Sequence, residues 1–152
     1  MTIFHSMNTT SSALTAQRLR MDVVSSNMAN MDSTRARQVN GEWQPYRRKA
    51  VVLQPKQGGF ASYLNQAMGQ QSGGTGNGVK VTKIAEDDLT PFKMMYDPTH
   101  PDANGEGYVQ MPNVDPLREM VDLMSATRSY EANVTVFNAS KSMMMKALEI
   151  GK

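Results

Sequence analysis

Two long stripes with helical spacing, one at each end of a 152-residue chain, constrain this sequence more than any other feature. The first runs from about Ile3 to Met28 and the second from about Pro116 to Ile150, both close to neutral in charge. Each stripe can bury its apolar face only on the other or on a neighbouring molecule. That requirement predicts an assembly component rather than a catalyst.

In the first stripe Ile3, Met7, Thr10, Leu14, Gln17, Met21, Val24 and Met28 alternate in steps of four and three, a heptad seam with two polar interruptions. Thr9, Thr10, Ser11 and Ser12 lower its intrinsic helicity, so it is expected to fray alone and to become ordered on packing. Asn30 and Asp32–Ser33 read as its stop. The second stripe has a strong start, because Asp115 can cap the first N–H groups and Pro116 fits the first helical position. Met120, Leu123, Met124, Thr127, Tyr130, Val134, Phe137, Met144 and Leu148 then recur near the helical period. Such a helix is about 50 Å long, with Lys146, Gly151 and Lys152 suited to its C-terminal end.

The intervening region divides by charge. Residues 35–56 carry Arg35, Arg37, Arg47, Arg48, Lys49 and Lys56 against Glu42, whereas residues 86–106 carry Glu86, Asp87, Asp88, Asp97, Asp102 and Glu106 against Lys93. Glu42–Leu53 is expected to form a strand or hairpin, Phe60–Met68 a short helix, Gly69–Gly78 a flexible linker and Val79–Ile84 an exposed strand. Tyr96–Gly107 reads as a loop closed by a strand at Tyr108–Met111. The fold class is therefore α+β, with long N- and C-terminal helices packed as a coiled-coil-like stem and a small β-rich insertion. The expected divisions are residues 1–34, 35–112 with the linker at 69–78, and 113–152.

Composition removes several functions. With 39% apolar and 7% aromatic residues, a large independent core is not expected, and no run of 18 apolar residues marks a membrane span. Met1–Ala13 lacks the basic and apolar regions of a cleaved signal peptide. Zero cysteines exclude disulfides and thiolate metal sites. A net charge of +2 gives no argument for nucleic acid. Fourteen methionines suit either ordinary core filling or an interface that meets non-identical neighbours.

Few residues support chemistry. His100 lies in Asp97-Pro98-Thr99-His100-Pro101-Asp102, where the prolines and aspartates suit a turn. A zinc site needs three or four ligands, and the other histidine, His5, belongs to the first stripe. Gly73–Gly78 is followed by Val79 and Lys80 rather than the Gly-Lys-Ser/Thr of a phosphate loop. No cofactor is expected. Arg47, Arg48 and Lys49, beside Tyr46 and Trp43, suit an anionic polymer or an acidic strand; electrostatic contact with Asp87 and Asp88, within a subunit or across two, is the expectation.

Ser25-Ser26-Asn27-Met28-Ala29-Asn30 followed by Thr34 resembles the N-terminal signature of the bacterial flagellar rod and hook family. Asn113-Val114-Asp115, Glu119-Met120 and Ala126-Thr127-Arg128-Ser129-Tyr130-Glu131-Ala132-Asn133 resemble its C-terminal signature. Arg35-Ala36-Arg37 replaces the Gly-Tyr pair common after the first motif, and Tyr96–Asn104 with Gly107-Tyr108-Val109 resembles proximal-rod members in particular.

The resemblance implies a non-enzymatic subunit of the flagellar basal-body rod that assembles with other rod proteins and copies of itself. It also implies export through the flagellar type III apparatus without a cleaved signal, and a place in the periplasmic rod. Expected helix-packing residues are Met7, Leu14, Met21, Val24, Met120, Leu123, Tyr130, Val134 and Phe137. Asn27, Asn30 and Asn133 are candidates for register-fixing amide bonds, with capping or a turn the other role for Asn30. The competing classes are a coiled-coil adaptor that never polymerises and a metal-dependent hydrolase.

Overall fold

The computed structural model describes residues 3–39, 41–56, 67–69 and 76–150. A helix α1 (Ile3–Ala29) is followed by β1 (Arg37–Val39), β2 (Glu42–Gln44), β3 (Lys49–Pro55), β4 (Val79–Glu86), β5 (Lys93–Tyr96), β6 (Tyr108–Met111) and a second helix α2 (Pro116–Ile150). The architecture is α+β, two long terminal helices with a small insertion of antiparallel strands. The short helix expected at Phe60–Met68 lies almost wholly outside the described residues, as does 70–75 of the expected linker.

Neither helix contains glycine or proline after its first residue, so nothing in either interior breaks the hydrogen-bond ladder. In α1 the hydroxyls of Thr9, Thr10 and Thr15 donate to the carbonyls four residues earlier, at 2.9–3.0 Å, which satisfies these polar side chains without leaving the helix. Asn30 terminates α1 by donating its side-chain amide to the Ser26 carbonyl at 2.8 Å. At the start of α2 the Asp115 carboxylate accepts the Leu117 N–H at 3.1 Å, and its carbonyl accepts the Glu119 N–H at 3.0 Å.

The strands form three two-stranded sheets, β1–β2, β3–β4 and β5–β6. Arg37 faces Gln44, and Val39 faces Glu42, in a tight hairpin that turns through Gly41 at φ +90°. The Asn40-Gly41 pair is a strong hairpin signal in the sequence, and β1 lies ahead of the β-structure expected at Glu42–Leu53. Strand β5 was likewise not foreseen: it precedes the loop and pairs Lys93 with Met111 and Tyr96 with Tyr108. Gly107, at φ +81°, closes this hairpin beneath the Tyr96 ring, where a Cβ would meet the ring at 3.0 Å.

The described residues belong to two compact units. One draws on Met1–Leu19, Val52–Lys83 and Ala126–Lys152; the other on Arg20–Val51 and Ile84–Ser125. In the first unit, Ser12 on α1 accepts the Val79 N–H at 3.1 Å, and the Lys56 N–H donates to the Gly78 carbonyl at 2.8 Å. The second unit holds the two hairpins, the end of α1 and the first turns of α2, with Tyr46, Val109, Pro112 and Val114 buried.

Candidate functional site

Asn27 is fully buried, and its side chain uses its whole hydrogen-bonding capacity. Its amide donates to the Lys49 carbonyl at 2.8 Å and to Glu119 Oε2 at 3.0 Å. Its oxygen accepts the Lys49 N–H at 2.9 Å and the Tyr46 hydroxyl at 3.0 Å. One side chain on α1 thus holds the first residue of β3 and the first turn of α2.

Glu119 is also fully buried, and it is a charge rather than an amide. Arg48 Nε donates to Glu119 Oε1 at 2.6 Å, while Arg48 Nη2 lies 3.2 Å from Asp122 Oδ2. Arg20 Nη2, from α1, donates to the other Asp122 oxygen at 2.8 Å. Two arginines therefore face two carboxylates, and both Glu119 oxygens have donors. An isolated buried carboxylate is costly, and this arrangement avoids that cost by pairing. The Arg48 N–H donates to Asn113 Oδ1 at 2.8 Å, and the Asn113 amide donates to the carbonyls of Asp87 and Thr90 at 3.0 and 3.1 Å. The junction thereby extends to the loop between β4 and β5.

The three asparagines expected to form amide bonds behave differently. Asn27 reaches across the fold, whereas Asn30 and Asn133 donate to carbonyls of their own helices, Ser26 and Ser129, each at 2.8 Å. Among the residues expected to pack, Val24 is buried; Met7, Leu14, Met21, Leu123, Tyr130, Val134 and Phe137 are half-buried; Met120 is 48% exposed. The covered α2 stripe is Glu119, Leu123, Ala126, Tyr130, Asn133, Phe137, Ser140 and Met144, in steps of four and three, and it shares Leu123, Tyr130, Phe137 and Met144 with the expected one. Its most buried members are Glu119, Ala126 and Ser140, a charge and two small residues that a search for bulky apolar positions passes over.

Arg47, Arg48 and Lys49 part company although adjacent. Arg47 lies 3.0 Å from Asp88, which is 74% exposed, and covers the Phe92 ring at 4.6 Å. Arg48 turns to Glu119 and Asp122 instead, and the Lys49 ammonium lies 5.4 Å from the Tyr46 ring centre. Further along, Arg37 meets Glu86 at 3.3 Å, and Arg35 Nε donates to Asp102 at 2.6 Å. Those contacts bring the basic and acidic segments together within one unit. Hydrogen bonds from Arg35 and then Thr34 hold the Asp102 carboxyl below the usual aspartate range, and Asp102 in turn raises the Arg35 guanidinium. Asp87 is lowered chiefly by the Thr90 hydroxyl, and Asp97 chiefly by that of Thr99. His100 Nδ1 accepts the Asp102 N–H at 3.1 Å, which fixes the turn of the loop.

Besides Asn27 and Glu119, the junction uses Tyr46, Arg48, Asn113 and Asp122, none of which the sequence marks as meeting there. Their signal was faint: Asn113 and Glu119 stood inside the C-terminal motif, whereas Arg48 was one basic residue in a basic run.

Residues 7–37, which include Asn27, match the family described as flagella basal body rod protein. Residues 106–150, which include Asn113 and Glu119, match the C-terminal region of flagellar basal body rod FlgEFG proteins. The whole chain is 71% identical to the flagellar basal-body rod protein FlgC of Bacillus subtilis, over the full length of both. It is 44% identical to FlgC of Borreliella burgdorferi over 99% of this chain and 98% of that one. With FlgC of Salmonella typhimurium it shares 45% identity over 93% and 92% of the two chains. Asn27 and Glu119 thus fall within the two matched regions, with Tyr46, Arg48 and Lys49 supplied from between them, and the chain belongs to the flagellar basal-body rod protein family as a structural subunit of the flagellum.

Proposed function

We propose that this chain is a proximal-rod subunit that polymerises helically, transmits motor torque across the periplasm and is required for flagellar assembly and motility. The observation that carries this reading is an imbalance along α2. Its first turn is fixed by the Asn27–Arg48–Glu119 junction, yet Leu117, Met120, Val121, Met124, Val136, Met143 and Leu148 are 48–76% exposed. Apolar surface on that scale favours neighbours. A heterologous contact repeated without closing gives a helical tube, and many such contacts in parallel carry torque.

Export through the flagellar type III apparatus is part of the same reading, with the terminal helices gaining their final order on assembly and no signal removed. Ordering on assembly keeps apolar faces from finding partners early. The proposed role is structural, not catalytic, with rod proteins and copies of this chain as partners and no nucleic acid. No described helix is long and apolar enough to cross a membrane.

The test is complementation of a strain lacking the gene, comparing the wild-type chain with a Leu117→Asp/Val121→Asp variant. Restored swimming with the wild type and loss of rod-containing basal bodies with the variant is the expected result. Normal basal bodies in the uncomplemented strain would remove the proposal.

A further inference from the structure

We propose that Asn77 is a site of spontaneous deamidation, at which the folded chain turns an amide into a carboxylate without any enzyme. The sequence holds three Asn-Gly pairs, Asn40-Gly41, Asn77-Gly78 and Asn104-Gly105. Glycine has no Cβ to shield its backbone nitrogen, so each pair favours attack of that nitrogen on the asparagine Cγ. Sequence alone ranks the three equally; the structure separates the two whose asparagines are described.

Asn104 is held away from reaction. Its Oδ1 accepts the N–H groups of Glu106 at 3.0 Å and Tyr108 at 2.9 Å, while its own N–H donates to the Tyr108 carbonyl at 2.9 Å. Turning its Cγ onto the Gly105 nitrogen breaks the first two bonds. Asn77 differs: it is exposed, and neither its side chain nor the Gly78 N–H is hydrogen-bonded to a described residue. The first anchors come just after the reacting peptide, where the Gly78 carbonyl accepts the Lys56 N–H at 2.8 Å and the Val79 N–H donates to Ser12 Oγ at 3.1 Å. The Asn77 amide can therefore meet the Gly78 nitrogen without breaking any of these bonds.

The chemistry needs only water. The Gly78 nitrogen bonds to Asn77 Cγ and gives its proton to solvent; Nδ2 takes up a proton and departs as ammonia, leaving a cyclic succinimide. Water then opens either carbonyl, which yields aspartate or isoaspartate with no change of oxidation state. Escape of ammonia makes the conversion one-way, so the modified fraction records the age of the chain. Isoaspartate routes the main chain through Cβ and Cγ and lengthens it directly before Gly78. That glycine already lies close against α1, where an added Cβ would meet the Thr9 Cα at 3.4 Å. Lengthening there pulls on the Lys56–Gly78 and Ser12–Val79 hydrogen bonds, so the aged chain holds β4 less firmly on α1.

Trypsin separates the three pairs, because Arg37 and Arg47, Lys56 and Lys80, and Lys93 and Arg118 bracket them. The full chain would be aged at mildly alkaline pH, folded or in guanidinium, and its peptides mapped by fragmentation that distinguishes aspartate from isoaspartate. In the folded chain Asn77 is expected to convert within a few-fold of its denatured rate. Asn104 is expected to convert on the order of ten-fold or more below its own denatured rate, the factor set by two hydrogen bonds. Equal slowing of the two positions, or an intact Asn77, overturns the proposal. An Asn77→Gln chain aged in parallel tests the consequence for β4. Exchange protection of the Val79 N–H is expected to fall in the aged wild type and to persist in Asn77→Gln. The same loss in both chains, or loss in neither, overturns the link between deamidation and β4.

Discussion

The Asn27 amide donates to the Glu119 carboxylate at 3.0 Å, joining residues 92 positions apart, with neither side chain open to solvent. Replacing Asn27 by Ala leaves the Tyr46 hydroxyl, both Lys49 backbone groups and one Glu119 oxygen without their partner. The expected loss is at least about 3 kcal/mol. Asn27→Asp is expected to be worse at neutral pH, because it removes the donors and sets a second carboxylate against Glu119. Chemical denaturation and exchange of the Lys49 amide proton check both; a variant of wild-type stability would mean that the junction contributes little.

Adjacent arginines should respond very unequally. Arg47 pairs with a largely exposed aspartate, so Arg47→Ala is expected to cost about 1 kcal/mol or less. Arg48→Ala strands a buried carboxylate and is expected to cost about 3–5 kcal/mol. Combining Arg48→Met with Glu119→Leu should recover much of that loss, since it removes both charges. A double-mutant cycle measures the coupling.

Acid should loosen the insertion within a defined window. Asp87, Asp97 and Asp102 each hold the proton less tightly when folded than an ordinary aspartate does. As pH falls, the unfolded chain therefore takes up protons first. Their stabilisation is fully present above about pH 4 and is lost as pH drops through the lowered native values beneath it. Thermal midpoints measured from neutral pH down to about pH 3 should fall in that window. Asp102→Asn should flatten the fall; an unchanged profile would show that the Arg35–Asp102 contact is not felt in solution.

Gly78 lies within the segment read from composition as a linker, yet it is closely packed. At φ +89°, a Cβ there would meet the Ser12 side chain and the Thr9 Cα at 3.3–3.4 Å, with the Ser12 hydroxyl closer still. Gly78→Ala is expected to cost about 1–3 kcal/mol through backbone strain and overlap. Gly76→Ala, which meets nothing within 4 Å, serves as the control for loss of glycine freedom. Urea unfolding of both variants settles the comparison.

Periodicity and local chemistry carried the helices. α2 occupies Pro116–Ile150 as expected because its start is written in Asp115-Pro116 and no breaker follows. β6 at Tyr108–Met111 and β4 from Val79 also follow from alternation and flanking turn residues. β5 did not, because Lys93–Tyr96 is short, exposed at every position and recognisable as a strand only beside β6. Periodicity reveals only part of the covered stripe of α2, through Leu123, Tyr130, Phe137 and Met144; its deepest members are Glu119, Ala126 and Ser140, and burial of such residues depends on what stands opposite them.

Local signals thus established two terminal helices, a charge-divided insertion and the two motifs that mark the family. They did not establish which polar residues converge. Whether Arg48 meets solvent, Asp88 or Glu119 depends on where the chain returns after some 70 residues, and a side chain's hydrogen bonds are made in space rather than along the sequence. Tertiary structure alone brings Asn27, Tyr46, Arg48, Asn113 and Glu119 together, since a buried charge persists only where all its partners arrive at once.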